Sequence, residues 1–409
     1  MPGNLISLLG IAAILGLAVA LSTNRKAIRP RIVLSAFALQ VSIAAFVLYL
    51  PAGKAVIEFL SKGIQAIIGY SSAGIDMVFG NLATELPGLS FAIHVLPIII
   101  FFSSLMSVLY HLRIMQWVVR GVGGAIRWII GTHRVESLNA AANIFVGQTE
   151  APLVIRPYLR TLTDAQLFTV MVSGLASVAG TVLAAYAQMG IKLEYLLAAS
   201  FMAAPGGLLM AKIIFPDPPA DAPESDAAPE QKEEETHHAN VILAAAKGAQ
   251  DGVWLAVNIG AMLLAFVGLI ALMNGILGGI GGWFDVEDLT FQKILGTIFA
   301  PLMYLLSVPW SEAQIAGSFF GEKLILNEFV AYFHFIDVMG TLTPRTEAVV
   351  TFALCGFANI SSIAILLGGI GSLVPDRWNA IGRLGLRAVA AGSLSNLMSA
   401  ALASLLLVF

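Results

Sequence analysis

The sequence predicts an all-α polytopic membrane protein with eight transmembrane helices, two opposed re-entrant helical hairpins, about three interfacial helices and an inverted repeat. Three observations carry this prediction. Of 409 residues, 58% are hydrophobic and 11% charged, against about 25% charged in soluble domains. The apolar residues fall into runs close to the roughly 20 residues that cross a bilayer. Two glutamates, Glu150 and Glu328, lie in apolar segments too interrupted to be simple spans. The mean hydropathy of +0.86 agrees. A net charge of −3 gives no sign of nucleic-acid binding, and the single cysteine, Cys355, rules out an intrachain disulfide or a cysteine metal cluster.

The eight runs cover residues 5–22, 32–50, 91–112, 165–189, 195–215, 253–277, 348–373 and 381–409. The first follows Met-Pro-Gly with neither a basic leader nor a small-residue cleavage site, so it reads as a retained span. Residues 54–70, 116–130 and 293–308 read as helices lying in the interface. In the second of these, Arg120 and Arg127 sit seven residues apart on one face. Segments 135–160 and 310–338 each carry polar residues at mid-run and read as helix–tip–helix hairpins. Non-helical backbone at such depth is tolerated only inside protein or beside a watery cavity. Residues 217–238 are rich in Pro, Ala, Asp and Glu and read as a disordered acidic loop. The chain then divides into 1–90, a first repeat over 91–214, the loop region 215–240 and a second repeat over 241–409.

Basic residues set the orientation. With both termini outside and all spans alternating, every one of the 22 lysines and arginines lies on the inner side except Lys54, Lys62, Lys192, Lys293, Lys323 and Arg345. The first hairpin then enters from inside and the second from outside. The repeat itself shows in two short matches. Gly174-Leu175-Ala176-Ser177-Val178 and Gly356-Phe357-Ala358-Asn359-Ile360 both read Gly, apolar, Ala, small polar, apolar. Glu150 precedes Ser177 by 27 residues and Glu328 precedes Asn359 by 31. Inverted repeats with broken helices place a transport site near the midplane, at the repeat interface.

A charge at that depth costs at least ~2.5–3.5 kcal/mol on insertion scales. Glu150 and Glu328 are therefore site candidates, and the competing reading is an ion pair with Arg156 and Lys323 respectively. Gly147 permits a tight tip, after which Gln148, Thr149 and Glu150 offer an amide, a hydroxyl and a carboxylate in a row. Asn359 and Ser362 share a helix face, where small polar residues serve either a site or helix packing. Asn143 with Ser177 suggests a sodium site, a hard cation held by amide, hydroxyl and freed backbone oxygens. Gly278 to Gly282 follows no strand and is no dinucleotide loop. His94 reads as a packed or interfacial histidine. No nucleophile triad or HExxH motif supports an enzyme.

The chain resembles the concentrative nucleoside transporters, in their bacterial sodium-coupled form, over nearly its whole length. The resemblance rests on Ala142 to Leu153, Ser173 to Gly180, Ala203 to Gly207, Asn327 to Tyr332 and Cys355 to Leu366. It implies a homotrimer in the cell inner membrane, with the third and sixth spans as scaffold and the hairpins moving as an elevator. It assigns the nucleobase to Gln148, Thr149 and Glu150 with Val182 beside it, and the ribose to Glu328, Asn359 and Ser362. Phe357 and Leu255 line the pocket. Sodium falls to Asn143, Val146, Ser177 and Val178, the two valines through their carbonyls. The expected function is sodium-coupled import of uridine-like nucleosides. Proton coupling is the alternative within the class, and a channel or other membrane protein the alternative outside it.

Overall fold

The computed structural model describes residues 3–82, 91–218, 239–283 and 289–407, and all their regular structure is helical. The helices are α1 (Gly3–Ala20), α2 (Pro30–Ala44), α3 (Pro51–Phe79), α4 (Leu96–His111), α5 (Ile114–Ile130) and α6 (Arg134–Ala142). There follow α7 (Asp164–Ala176), α8 (Gly180–Gln188), α9 (Leu193–Ile214), α10 (Val241–Trp283) and α11 (Phe291–Leu305). The chain closes with α12 (Trp310–Ile325), α13 (Glu328–Val338), α14 (Pro344–Leu354), α15 (Ser362–Leu373) and α16 (Trp378–Leu406). Among the described residues, six helical stretches are long and apolar enough to cross a membrane. They are Pro30–Tyr49, Phe91–His111, Asp164–Gln188, Leu193–Ile214, Val241–Trp283 and Pro375–Leu406. Two of the eight expected runs differ from these for physical reasons. Leu5–Ala20 is short, and the run over 348–373 is divided by non-helical backbone into α14 and α15.

The helix expected over 54–70 is longer, a single 29-residue helix, α3. Pro51 starts it, and Gly80, at φ +54°, ends it in a conformation that side-chain-bearing residues rarely adopt. Gly53, Ile57, Ser61, Ile68, Ser71 and Ile75 form one buried stripe, while Phe59, Tyr70 and Met77 face outward. The sixth run is also longer than its apolar composition indicates. Lys247 and Asp251 lie before it, yet they pair one turn apart at 2.8 Å and extend the helix rather than ending it. α10 packs on α4 through small residues at every fourth position, Ala244, Gly248, Gly252 and Ala256. A methyl on Gly252 would lie 2.6 Å from Ile100 Cα, so only glycine admits this close crossing. Ser104 and Ser107 Oγ donate across it to the Ala245 and Ala244 carbonyls.

The inner bundle of α7–α8, α9 and α16 is almost wholly buried. Residues 134–161 fold as α6, a turn-rich tip and a 3₁₀ stretch, Ala151–Thr161, packed back on α6. Residues 310–338 fold as α12 and α13, two helices packed together around Leu326 and Asn327. α11 meets α12 at a bend of 117°, close enough that Gly317 admits the Gly296 carbonyl. The order long helix, amphipathic helix, arm–tip–arm, broken helix, helix thus occurs over α4–α9 and again over α10–α16. Asp217 does not belong to a free acidic loop. It is buried beside Lys212, whose Nζ donates at 2.6 Å to both Asp217 and Glu136 and ties the end of α9 to the start of α6. The remainder of the expected acidic loop, 219–238, lies outside the described residues.

Candidate functional site

Both helix breaks are built alike. Thr163 caps α7 by accepting from Gln166 N, and Thr343 caps α14 by accepting from Thr346 N. Each helix then ends in the protein interior. Ser177 and Ala179 are extended between α7 and α8, and residues 355–361 leave the helix between α14 and α15. The two breaks meet directly, because Phe357 N donates to the Ser177 carbonyl at 3.1 Å. Asn396 of α16 stands between them. Its Nδ2 donates to Ala176 O at 2.7 Å and Cys355 O at 2.9 Å, satisfying a carbonyl at the end of each broken helix. Gly356 lets it in, since a Cβ there would lie 2.3 Å from Asn396 Oδ1.

A cavity of about 2060 Å³ opens between the hairpin tips, α4, α8, α10 and the second break. All nine residues expected at the substrate line it: Gln148, Thr149, Glu150, Val182, Leu255, Glu328, Phe357, Asn359 and Ser362. Glu328 is buried, at 3% exposure. Its Oε1 accepts from Tyr186 Oη and its Oε2 from Asn359 Nδ2, both at 3.0 Å. Asn359 Oδ1 in turn accepts from Ser361 Oγ and Ser362 N at 2.8 Å. The first hairpin joins the second break through Gln148 Nε2, which donates to Ser362 Oγ at 3.4 Å. Gln148 Oε1 is buried without a hydrogen-bond partner.

One expectation is corrected, and neither competing ion pair forms. Glu150 is not a buried charge; its side chain is exposed to the cavity, and Arg156 makes no ion pair with it. Lys323 makes no ion pair with Glu328. It is fully buried, and its Nζ donates to Ala353 O at 2.6 Å and Asn396 Oδ1 at 2.7 Å. Gly147 lies in the tip between α6 and the 3₁₀ stretch. Its role is close approach, since a Cβ there would lie 2.6 Å from Glu150 Oε2.

Of the residues expected at sodium, Val146 lines the cavity, while Asn143, Ser177 and Val178 lie buried behind it. Asn143 Nδ2 donates to Asn139 O at 2.9 Å, but its Oδ1, at 1% exposure, has no donor. A buried acceptor without a donor is rare and calls for a ligand or ion. Ser177 Oγ donates back to Gly174 O. An amide oxygen, a hydroxyl and the carbonyls of an interrupted helix are the kinds of neutral oxygen that a hard monovalent cation takes. Sequence reasoning missed Tyr186 and Asn396. Both lie in apolar helical runs, where an aromatic or an amide reads as packing.

Two interrupted helices, two hairpin tips and a polar cavity between them define the class of secondary transporters. Known proteins make the class specific. A profile described as the C-terminus of the Na⁺-dependent nucleoside transporters matches residues 195–404, and its N-terminal counterpart matches 9–82. A nucleoside-recognition profile matches 92–193. The nucleoside permease NupC of Helicobacter pylori is 49% identical over 413 residues, covering 98% of this chain and 97% of that protein. Sodium/nucleoside cotransporter 1 of Mus musculus is 37% identical over 424 residues, covering 100% of this chain and 64% of that protein. The structure of CNTnw in an inward-facing, substrate-bound state superposes with a TM-score of 0.93 at 51% identity, covering 99% of this chain and 98% of that one. The chain belongs to the Na⁺-dependent nucleoside transporter family, the concentrative transporters that its motifs resemble.

Proposed function

We propose that the chain is a sodium-coupled symporter that imports nucleosides by elevator-type alternating access, as a homotrimer in the cell inner membrane with both termini outside. One observation carries the reading: Glu328, Asn359, Ser362 and Gln148 form a connected polar chain across a single cavity while keeping acceptor capacity free. Each Glu328 oxygen uses one lone pair on the protein and retains another, a geometry that accepts adjacent ribose hydroxyls. Gln148 Oε1, Thr149 and Glu150 face the same cavity and suit the N–H donors of a nucleobase, with Val182, Leu255 and Phe357 supplying apolar walls. Sodium binds behind, at Asn143 Oδ1, Ser177 and the Val146 and Val178 carbonyls, and its occupancy ties the first hairpin to the first break.

The division at 91–214 and 241–409 follows the repeated element order, with eight crossings if α1 and the α14–α15 pair each count as one. Arg120, Arg134, Arg156 and Arg160 line the cavity. Basic residues favour the inner side, so this cavity is the inward-open one. Counterflow of labelled uridine in proteoliposomes, against a panel of unlabelled nucleosides with and without sodium, tests the reading. Exchange with nucleosides that strengthens with sodium is expected. Exchange of other polar solutes in preference to nucleosides would overturn it.

A further inference from the structure

α7 and α14 both end inside the protein, where the carbonyls of a final turn lack helical partners and carry partial negative charge. Asn396 treats the two ends alike, giving one N–H to Ala176 O and one to Cys355 O. The next contacts differ. At α14 the Lys323 ammonium donates to Ala353 O in the last turn, and also to Asn396 Oδ1. Lys323 is 0% exposed, and its Nζ donates to neutral oxygens rather than to a carboxylate. An ammonium so buried is costly unless the oxygens around it need its charge. At α7 the donors are neutral, Asn396 Nδ2 to Ala176 O and Phe357 N to Ser177 O. There the neighbouring Asn143 Oδ1 lacks any donor. The repeat supports the parallel: Asn143 lies 34 residues before Ser177, and Lys323 lies 36 before Asn359.

We propose that the Lys323 ammonium is a tethered counterpart of the transported sodium ion: it holds permanently, at the second helix break, the positive charge that sodium brings to the first. One sodium then accompanies each nucleoside, because the second position is already filled. The inference rests on the sodium reading of Asn143 and Ser177.

The test measures net charge and labelled uridine together in proteoliposomes of the full-length protein, then repeats the sodium titration with Lys323→Gln and Lys323→Arg. For the unaltered protein, one positive charge per uridine is expected, with a sodium Hill coefficient near one. Lys323→Gln should need more sodium and respond with a Hill coefficient above one, as a second ion enters the vacated position. Lys323→Arg should restore the original slope, which a purely packing role would not require. Two charges per uridine in the unaltered protein would overturn the proposal while leaving sodium coupling intact. So would a Lys323→Gln protein whose sodium titration matches the original, or one that sodium cannot revive although uridine still raises its melting temperature. Uptake indifferent to sodium would instead remove the reading beneath it. If Lys323→Gln does not fold, the charge measurement on the unaltered protein decides.

Discussion

At the first helix break a buried amide oxygen, Asn143 Oδ1, waits without a donor, and the nearby Glu150 opens to the cavity. At the second break every oxygen of Glu328 and Asn359 already has a protein partner, and a lysine lies beneath. The same chain pattern therefore yields one half whose acceptors are already engaged and one that keeps a buried acceptor unfilled. Preorganised groups cost nothing to order when a ligand arrives. On the proposed function, the second half serves as the fixed reader, and the first as the part whose order depends on ion and substrate.

Four substitutions break or sharpen that contrast. Glu328→Gln should have the largest effect. It weakens charge-assisted bonds to two ribose hydroxyls, each worth about 1.5 kcal/mol or more, so uridine affinity should fall roughly hundredfold by calorimetry. Asn143→Leu should raise the half-saturating sodium roughly 10- to 100-fold in an uptake titration, while nucleoside affinity at saturating sodium changes little. Glu150→Gln should cost less than Glu328→Gln, about tenfold in affinity, because an exposed carboxylate is already partly hydrated. Equal losses for the two glutamates would erase the contrast. Tyr186→Phe removes one neutral donor from Glu328 and should lower affinity about fivefold, matching a hydrogen bond of about 1 kcal/mol. An unchanged affinity in that variant would mean that Tyr186 only packs against Phe329 and Tyr332, whose rings lie 4.7 and 4.5 Å away.

Much of this contrast was legible before any coordinates. A carboxylate, an amide and a hydroxyl inside an apolar run violate the composition expected there, so the residues of both tips announce themselves. The six polar positions, Gln148, Thr149, Glu150, Glu328, Asn359 and Ser362, all line one cavity, whereas Val182, Leu255 and Phe357 came only from the family resemblance. Tyr186 and Asn396 break no such rule. Their role depends on what faces them across 142 and 220 residues, which no local pattern encodes. The exposure of Glu150 depends on how far the cavity is open, a tertiary property. Lys323 stood five residues from Glu328 and suggested an ion pair, yet the tip directs the two side chains to different partners. Helix lengths failed where charge was taken as a boundary: Lys247 and Asp251 support α10 instead of ending it.

The central claim is that a nucleoside crosses only together with sodium held at Asn143 and Ser177. Labelled uridine uptake into proteoliposomes, driven in turn by a sodium gradient and by a proton gradient in sodium-free buffer, tests it most directly. The account predicts concentrative uptake with sodium alone, lost at ordinary sodium in Asn143→Leu and recovered as sodium is raised. Concentrative uptake from the proton gradient without sodium, unaltered in Asn143→Leu, would contradict it.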